Sequence, residues 1–449
     1  MFRKITEIFV TIVQRYLPDP FIFAILLTFG VFGMGIFMVG ESPLRMVTHW
    51  STGLWSLLGF TTQMAMILVT GHALALSSPI KKTLSRMADV PKTPKGAIVA
   101  VTFVATVACY LNWGFGLVVG ALYAKELARK IPKVDYRLLI ASGYTGFVIW
   151  HAGFSGSIPL LVASGGPDVV KATAGVVKGL IPIQETLFAP VTLVPVLVIL
   201  FTMPFLNSAM HPTPEKTISI DPELLKDELP EISTKNDTVA DKLENSWIIS
   251  ALVSLLGFTY IIMYFAGLKN FNLNLNVVIG IFLFGGILLH GTPRRFLAAF
   301  SVAAKGAGPI LLQFPFYAGI MGMMVGKSLG GSSIAGVMSE FFVAISTSTT
   351  FPFYTFLSAG LVNFFVPSGG GQWAVQAPIM MPAGAQLSVD HAKTAMAIAW
   401  GDAWTNMIQP FWALPALSIA GLGARDIMGY CVMVLIYTGI VIGASFLIF

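Results

Sequence analysis

The residues with chemistry to offer lie in four short stretches of an otherwise apolar chain. Two are polar and glycine-rich: NWGFG (Asn112, Trp113, Gly114, Phe115, Gly116) and PSGGGQW (Pro367, Ser368, Gly369, Gly370, Gly371, Gln372, Trp373). Two more follow them along the chain. WHAGFSGSIP (150–159) holds His151, Ser155, Gly156 and Ser157; WGDAWTNMIQP (400–410) holds Asp402, Thr405, Asn406 and Gln409. Small residues let a ligand reach the main chain. A helix that starts at such a stretch offers free N–H groups and the positive end of its dipole, which suits an anion such as a carboxylate. Pro159, Pro410 and Pro415 free helical carbonyls that can hold a cation or accept from a substrate. Asp402 lies well inside an apolar run, so it is a candidate proton carrier or sodium ligand. His151 is a candidate proton relay. Each has a plainer reading: glycines that let helices pack, hydroxyls bonded to their own helix, an aspartate in a wet vestibule, a packing histidine.

Other chemistries find little support. GFSG (153–156) matches a short serine-protease pattern with His151 nearby, but G-x-S-x-G fails because position 157 is serine. An intramembrane serine hydrolase at Ser155 is therefore a minor alternative, and an uncoupled anion channel another. No metal-ligand cluster, phosphate loop or ATPase motif is evident, so no cofactor is expected beyond a coupling cation, H+ or Na+. The net charge of +6 is spread over short loops, which excludes a nucleic-acid stripe. The two cysteines, Cys109 and Cys431, sit in apolar runs and read as buried reduced thiols.

The four stretches need a scaffold, and composition names it. The 449 residues are 55% hydrophobic and 11% charged, too little charge to cover a soluble protein of this size. The fold class is an all-α polytopic membrane protein. Apolar runs long enough to cross lie near 20–40, 54–77, 136–164, 180–204, 247–267, 275–290, 303–327, 391–420 and 426–448. Residues 1–18 have helical apolar spacing with basic residues on other faces, so an interfacial amphipathic helix is expected there. The regions around NWGFG and PSGGGQ read as re-entrant hairpins, 97–130 and 352–384, the arms of the first being too short to cross. With the N-terminus inside, every Lys and Arg but Arg45, Lys171, Lys178, Lys269, Lys327 and Lys393 then falls on the cytoplasmic side, as the positive-inside bias requires.

Weak internal echoes share one order. LLGF (57–60) recurs as LLQF (311–314), Asn112 as Asn363, and IASGY (140–144) as IAWGD (398–402). The expected organisation is a first repeat over 19–204, a cytoplasmic linker over 205–246, an extra helix over 247–268 and an inverted second repeat over 269–449. Inverted repeats mark secondary transporters, with the site where the repeats meet.

LPDPFIFAILLTF (17–29), NWGFGLVVGA (112–121), GFSGSIPLL (153–161), QFPFYAGI (313–320), NFFVPSGGGQW (363–373) and QPFWALPALSIAGLGARDIMGYC (409–431) together resemble the bacterial short-chain fatty acid transporter family, of the AtoE type. The resemblance covers nearly the whole chain. It implies a multi-pass symporter of the cell inner membrane that takes butyrate, acetoacetate and similar acids. It also implies the ion transporter superfamily, whose dicarboxylate members are homodimers with an elevator-like transport domain. Those members have Ser-Asn-Thr tips that bind sodium and two carboxylates. Here the tips are less polar and carry Trp113, Phe115 and Trp373, which suits a monocarboxylate with a short alkyl tail.

Overall fold

The computed structural model describes residues 20–220, 237–267, 273–328, 330–363, 366–409 and 411–449. The expected interfacial helix, the middle of the linker and Pro410 lie outside these residues. Among the described residues the chain is all helix, without strands. Among the described residues, seven helical stretches are long and apolar enough to cross a membrane.

The first half opens with α1 (Pro20–Val39), α2 (Pro43–Leu54), α3 (Leu58–Ala75) and the short α4 (Ser78–Met87). Helices α5 (Pro94–Leu111) and α6 (Trp113–Lys130) then pack on each other, with Asn112 alone between them. Next, α7 (Tyr136–Thr145) tightens into a 3-10 turn over Gly146–Ala152, and the chain resumes as α8 (Ser157–Ser164). After α9 (Pro167–Ala172), residues 176–189 are irregular, and α10 (Pro190–Ala209) starts ten residues beyond the expected span, where Pro190 takes the first helical position.

The linker contributes α11 (Val239–Glu244), and α12 (Trp247–Ala266) follows as the extra helix. The second half runs through α13 (Leu275–His290), α14 (Pro293–Ala304), α15 (Gly308–Val325) and α16 (Ile334–Ile345). Then come α17 (Phe351–Asn363) and α18 (Gly369–Gln386), whose first turn is the GGGQ of PSGGGQ with Ser368 as its cap, and α19 (His391–Thr405). Helix α19 gives way to an irregular stretch over 406–409, and the described chain goes on with α20 (Leu414–Ala420) and ends with α21 (Ala424–Ile448).

Side-chain caps show why the helices start where they do. Asn112 Oδ1 accepts from Phe115 N–H and Asp135 Oδ1 from Leu138 N–H, both at orphan donors of a first turn. The helical runs that carry WHAGFSGSIP and WGDAWTNMIQP are both interrupted, the first over 146–156 and the second from 406. One length differs. The first pair was expected to have arms of about 15 and 10 residues, yet α5 and α6 have 18 each. The apolar run ends at Ala124, but the helix continues through Lys125, Glu126, Arg129 and Lys130. Arm length alone thus does not separate re-entry from crossing.

Candidate functional site

The first tip is stitched to the first break. Phe154 N–H donates to Tyr110 O at 2.7 Å, and a β-carbon on Gly153 would lie 2.3 Å from that oxygen, so only glycine permits the approach. Ser155 Oγ then accepts from Trp113 N–H at 2.9 Å. With Asn112 Oδ1 on Phe115 N–H and Asn112 O on Gly116 N–H, much of the donor set of this helix start is used within the protein. Gly114 and Gly116 serve packing: their β-carbons would meet Leu68 Cα at 2.9 Å and Cys109 N at 2.4 Å. Phe115 faces Phe282 of α13 at 5.9 Å, away from Trp113. The amide of Asn112 is fully buried, and its Nδ2 has no partner in the protein.

The second tip faces the same break from another side. The three glycines divide their roles. A β-carbon on Gly369 would meet Ser157 Oγ at 2.3 Å and His151 Nε2 at 2.4 Å. Gly370 instead abuts Phe60 and Phe314, and Gly371 abuts Tyr317 and Val366. Ser368 Oγ reaches Gly371 N–H only at 3.4 Å, while Pro367 is buried just before it. Gln372 turns toward α17, its Nε2 donating to Ala359 O and to Gln376 Oε1. Trp373 is buried, and its indole N–H lacks a protein partner.

The second break closes the arrangement. His151 Nε2 lies 3.2 Å from Asp402 Oδ1, and both side chains are 0% exposed. The approach is within ion-pair distance but lacks hydrogen-bond alignment. Asp402 occupies the last turn of α19, not a vestibule. Asn363 Nδ2 donates to Asp402 O at 3.0 Å and to Thr405 Oγ1 at 2.9 Å, and Thr405 Oγ1 donates to Gly360 O. The Asn406 side-chain amide also donates to Asp402 O. Tyr144 Oη donates to Asn406 O at 2.6 Å, tying α7 to the second break. Gln409 is buried at the end of this segment. Gly156 holds a tight turn, since a β-carbon there would meet His151 O at 2.4 Å.

The second tip and both breaks therefore meet at His151, the first tip adjoins them through Trp150 and Ser155, and the centre is poor in charge. Among the described residues, the buried Asp, Glu, Lys and Arg are Glu41, Lys125, Asp135 and Asp402. No buried lysine or arginine stands beside Asp402. Several buried polar atoms around it have no partner in the protein: Ser157 Oγ, Asp402 Oδ2, Asn406 Oδ1, Asn363 Oδ1 and the indole N–H groups of Trp113 and Trp150. Such atoms are uncommon in a folded core and cluster where something else completes them.

An aromatic wall adjoins this centre. Trp113 meets Trp150 at 5.7 Å and Trp412 at 5.0 Å, and Phe147 stacks on Trp150 at 5.4 Å. Trp150, Phe147, Trp412 and Tyr144 were not singled out from the sequence. The one signal was the IASGY/IAWGD echo, which sets Tyr144 in register with Asp402. Asn363 echoes Asn112 in position, but the capping role of Asn112 is taken in the second tip by Ser368.

The profile of the short chain fatty acid transporter family matches residues 1–449. The chain belongs to that family. A protein of Escherichia coli K12 named as a short-chain fatty acid transporter is 46% identical over 443 residues, covering 98% of each chain. One from Haemophilus influenzae Rd, named the same way, is 46% identical over 455 residues, covering all of both. Two solved structures share the fold at low identity. The YdaH transporter of Alcanivorax borkumensis superposes with a TM-score of 0.56 at 13% identity, over 95% of this chain and 98% of that one. MtrF of Neisseria gonorrhoeae, described with a class of antimetabolite efflux pumps, gives 0.50 at 15% identity, over 100% of this chain and 97% of that one.

Membership in a transporter family points away from an enzyme, and the geometry at Ser155 agrees. Neither ring nitrogen of His151 hydrogen-bonds Ser155, whose oxygen accepts from Trp113 N–H. Asp402 approaches His151 at Nε2, and no serine hydroxyl hydrogen-bonds either ring nitrogen, whereas a triad needs one ring nitrogen for the serine and the other for the carboxylate. Cys109 and Cys431 are both free and buried.

Proposed function

We propose that this family member is a secondary transporter, a symporter of short-chain monocarboxylates such as butyrate and acetoacetate, and that its coupling ion is a proton carried by the His151–Asp402 pair. The observation that carries the reading is the contact of that pair inside a fully buried junction between both tips and both breaks. A carboxylate entering beside Asp402 finds no fixed cation there, so two negative charges would share a dry site. A proton on the pair relieves that cost. The carboxylate would lie at Gly369, Ser157 and Asn406, near Asn112, with its tail toward Trp113, Trp150 and Trp412.

A sodium ion is the competing occupant. The unpartnered oxygens of Asp402, Asn406 and Asn363 favour it, because hard cations take oxygen ligands. The wider architecture extends the resemblance. Both helix pairs are re-entrant, the halves are inverted repeats, and the protein is a homodimer of the bacterial inner membrane, N-terminus inside, working as an elevator.

The test is uptake of labelled butyrate into proteoliposomes under an imposed pH gradient or sodium gradient, with acetoacetate and succinate as competitors. Accumulation under the pH gradient, blocked by acetoacetate and not by succinate, supports the reading in full. Accumulation under sodium alone moves coupling to the oxygen cluster. Flux that never saturates and ignores both gradients makes the protein an anion channel.

A further inference from the structure

The unpartnered atoms of the junction sort into donors and acceptors, and the two sets come from different halves of the chain. Main-chain partners fix each buried amide, because a backbone N–H only donates and a carbonyl only accepts. Asn112 Oδ1 accepts from Phe115 N–H, which leaves its Nδ2 as the unpartnered donor. The Nδ2 atoms of Asn363 and Asn406 both donate to Asp402 O, which leaves their Oδ1 atoms as unpartnered acceptors beside Asp402 Oδ2. The indole N–H groups of Trp113 and Trp150 can only donate, and neither has a partner in the protein. Donors thus gather at Asn112, Trp113 and Trp150, and acceptors at Asn363, Asp402 and Asn406.

The acceptors suit a coupling cation. The donors exceed what a plain alkyl acid can use, because its acceptors all sit at one end. With the carboxylate at Gly369, Ser157 and Asn406, an alkyl tail puts only hydrocarbon against the indoles. Trp150 is in ring contact with His151, their centroids 3.6 Å apart. Phe147 stacks on the same indole at 5.4 Å with the planes 1° apart, and Trp150 is only 2% exposed. A donor on a ring so packed cannot turn to water, and leaving it unpaired costs more than a typical hydrogen bond contributes.

We propose that the indole N–H of Trp150 reads a carbonyl oxygen on the substrate's chain, so that the site prefers 3-oxo acids to alkyl acids of the same length. In a 3-oxo acid a single methylene separates the carbonyl from the carboxylate, which matches a chain that leaves Ser157 and passes the ring beside His151. The oxygen accepts from Trp150, which butyrate leaves unpaired. A site built around a buried donor rejects the ligand that lacks the acceptor. The inference rests on the monocarboxylate reading above and adds the group that sets its selectivity.

The experiment is competition against labelled butyrate uptake in proteoliposomes of the full-length protein, with unlabelled acetoacetate or butyrate at a pH where both are ionised. In the wild type, acetoacetate should compete at a concentration about threefold to tenfold below that of butyrate, as one hydrogen bond allows. Trp150→Phe keeps a ring for Phe147 and His151 and removes the N–H. It should bring the two concentrations together by weakening acetoacetate alone. Trp400→Phe removes another unpartnered indole N–H, two residues before Asp402 and so on the far side of α19, and should keep the wild-type ratio. Equal competition in the wild type overturns the inference with no variant needed, since a water on Trp150 would serve either acid. A ratio that survives Trp150→Phe overturns it by assigning selectivity to another group. Collapse of the ratio in both variants overturns it as well, as the mark of a loosened core. Failure of both acids to compete overturns the monocarboxylate reading itself, an outcome distinct from the other three.

Discussion

His151 and Asp402 are 251 positions apart in the sequence, and nothing in their neighbours announces that they touch. Asp402 could be read from the sequence because a carboxylate inside an apolar run is costly wherever it points. His151 could be read only as one histidine near a helix break. Their pairing depends on how the two halves pack, which no local pattern encodes. The pair makes a sharp prediction. Asp402→Asn keeps the shape and removes the charge. It should abolish gradient-driven accumulation, a loss on the order of a hundredfold, while butyrate still stabilises the protein against heat. Loss of that stabilisation as well would make Asp402 a substrate ligand and not a coupling group. The glycine triplet tells a similar story. Its composition suggested one cradle, yet its members face three different neighbours, and only Gly369 faces His151. Gly369→Ala should cut uptake at least about tenfold in protein that remains monodisperse, because backbone or His151 must shift. Gly59→Ala, on α3 with open space at its β-carbon, should leave uptake unchanged. Equal effects at the two positions would reduce Gly369 to ordinary packing.

At the scale of elements, the two breaks and the two glycine-rich tips were legible because proline, glycine and clustered polar residues interrupt apolar runs for local reasons. Arm length was not. The sequence reading stopped α6 where the apolar run stops, but a helix continues as long as its hydrogen bonds and propensities allow, and Lys125 to Lys130 are good helix formers. The spent donors of the first tip were equally hidden, since Ser155 reaches Trp113 N–H only after the break folds onto Tyr110. The linker gives a test at this scale. Its helix α11 is held to α14 by Arg294, which pairs with Asp241 at 2.5 Å and with Glu244. Hydrogen bonds from Arg294, then from Thr238, hold Asp241 down at about 2. A depressed carboxylate stabilises above its ordinary pKa of about 3.9 and loses that contribution only as pH falls toward 2. Hydrogen exchange of Val239–Glu244, corrected for intrinsic rates, should therefore be flat between about pH 5 and 8. It should rise in Arg294→Ala. A pH-dependent rise in the wild type would show that the anchor is not this pair.

For the whole molecule, the class was plain from composition, whereas the path of the chain through the bilayer rests on charge. Helix α5 is long and apolar enough to cross, so the hairpin reading of 97–130 must stand on where its ends emerge. The positive-inside bias puts both ends of the first pair in the cytoplasm and both ends of the second pair, in a region without Lys or Arg from 328 to 392, outside. Inverted repeats require that opposition. Single cysteines at exposed positions can read it: Lys92→Cys and Lys133→Cys flank the first pair, Ser348→Cys and Gln386→Cys the second. Cys109 and Cys431 are buried, so their background labelling should be low. In intact cells, a membrane-impermeant maleimide should label 348 and 386 and spare 92 and 133 until the cells are opened. Labelling at only one of 92 and 133 would make α5 and α6 together a single crossing, place α7 on the other face and remove the inverted symmetry. The family assignment would survive that outcome. The elevator would not, because its moving part needs two tips that approach one site from opposite sides of the membrane.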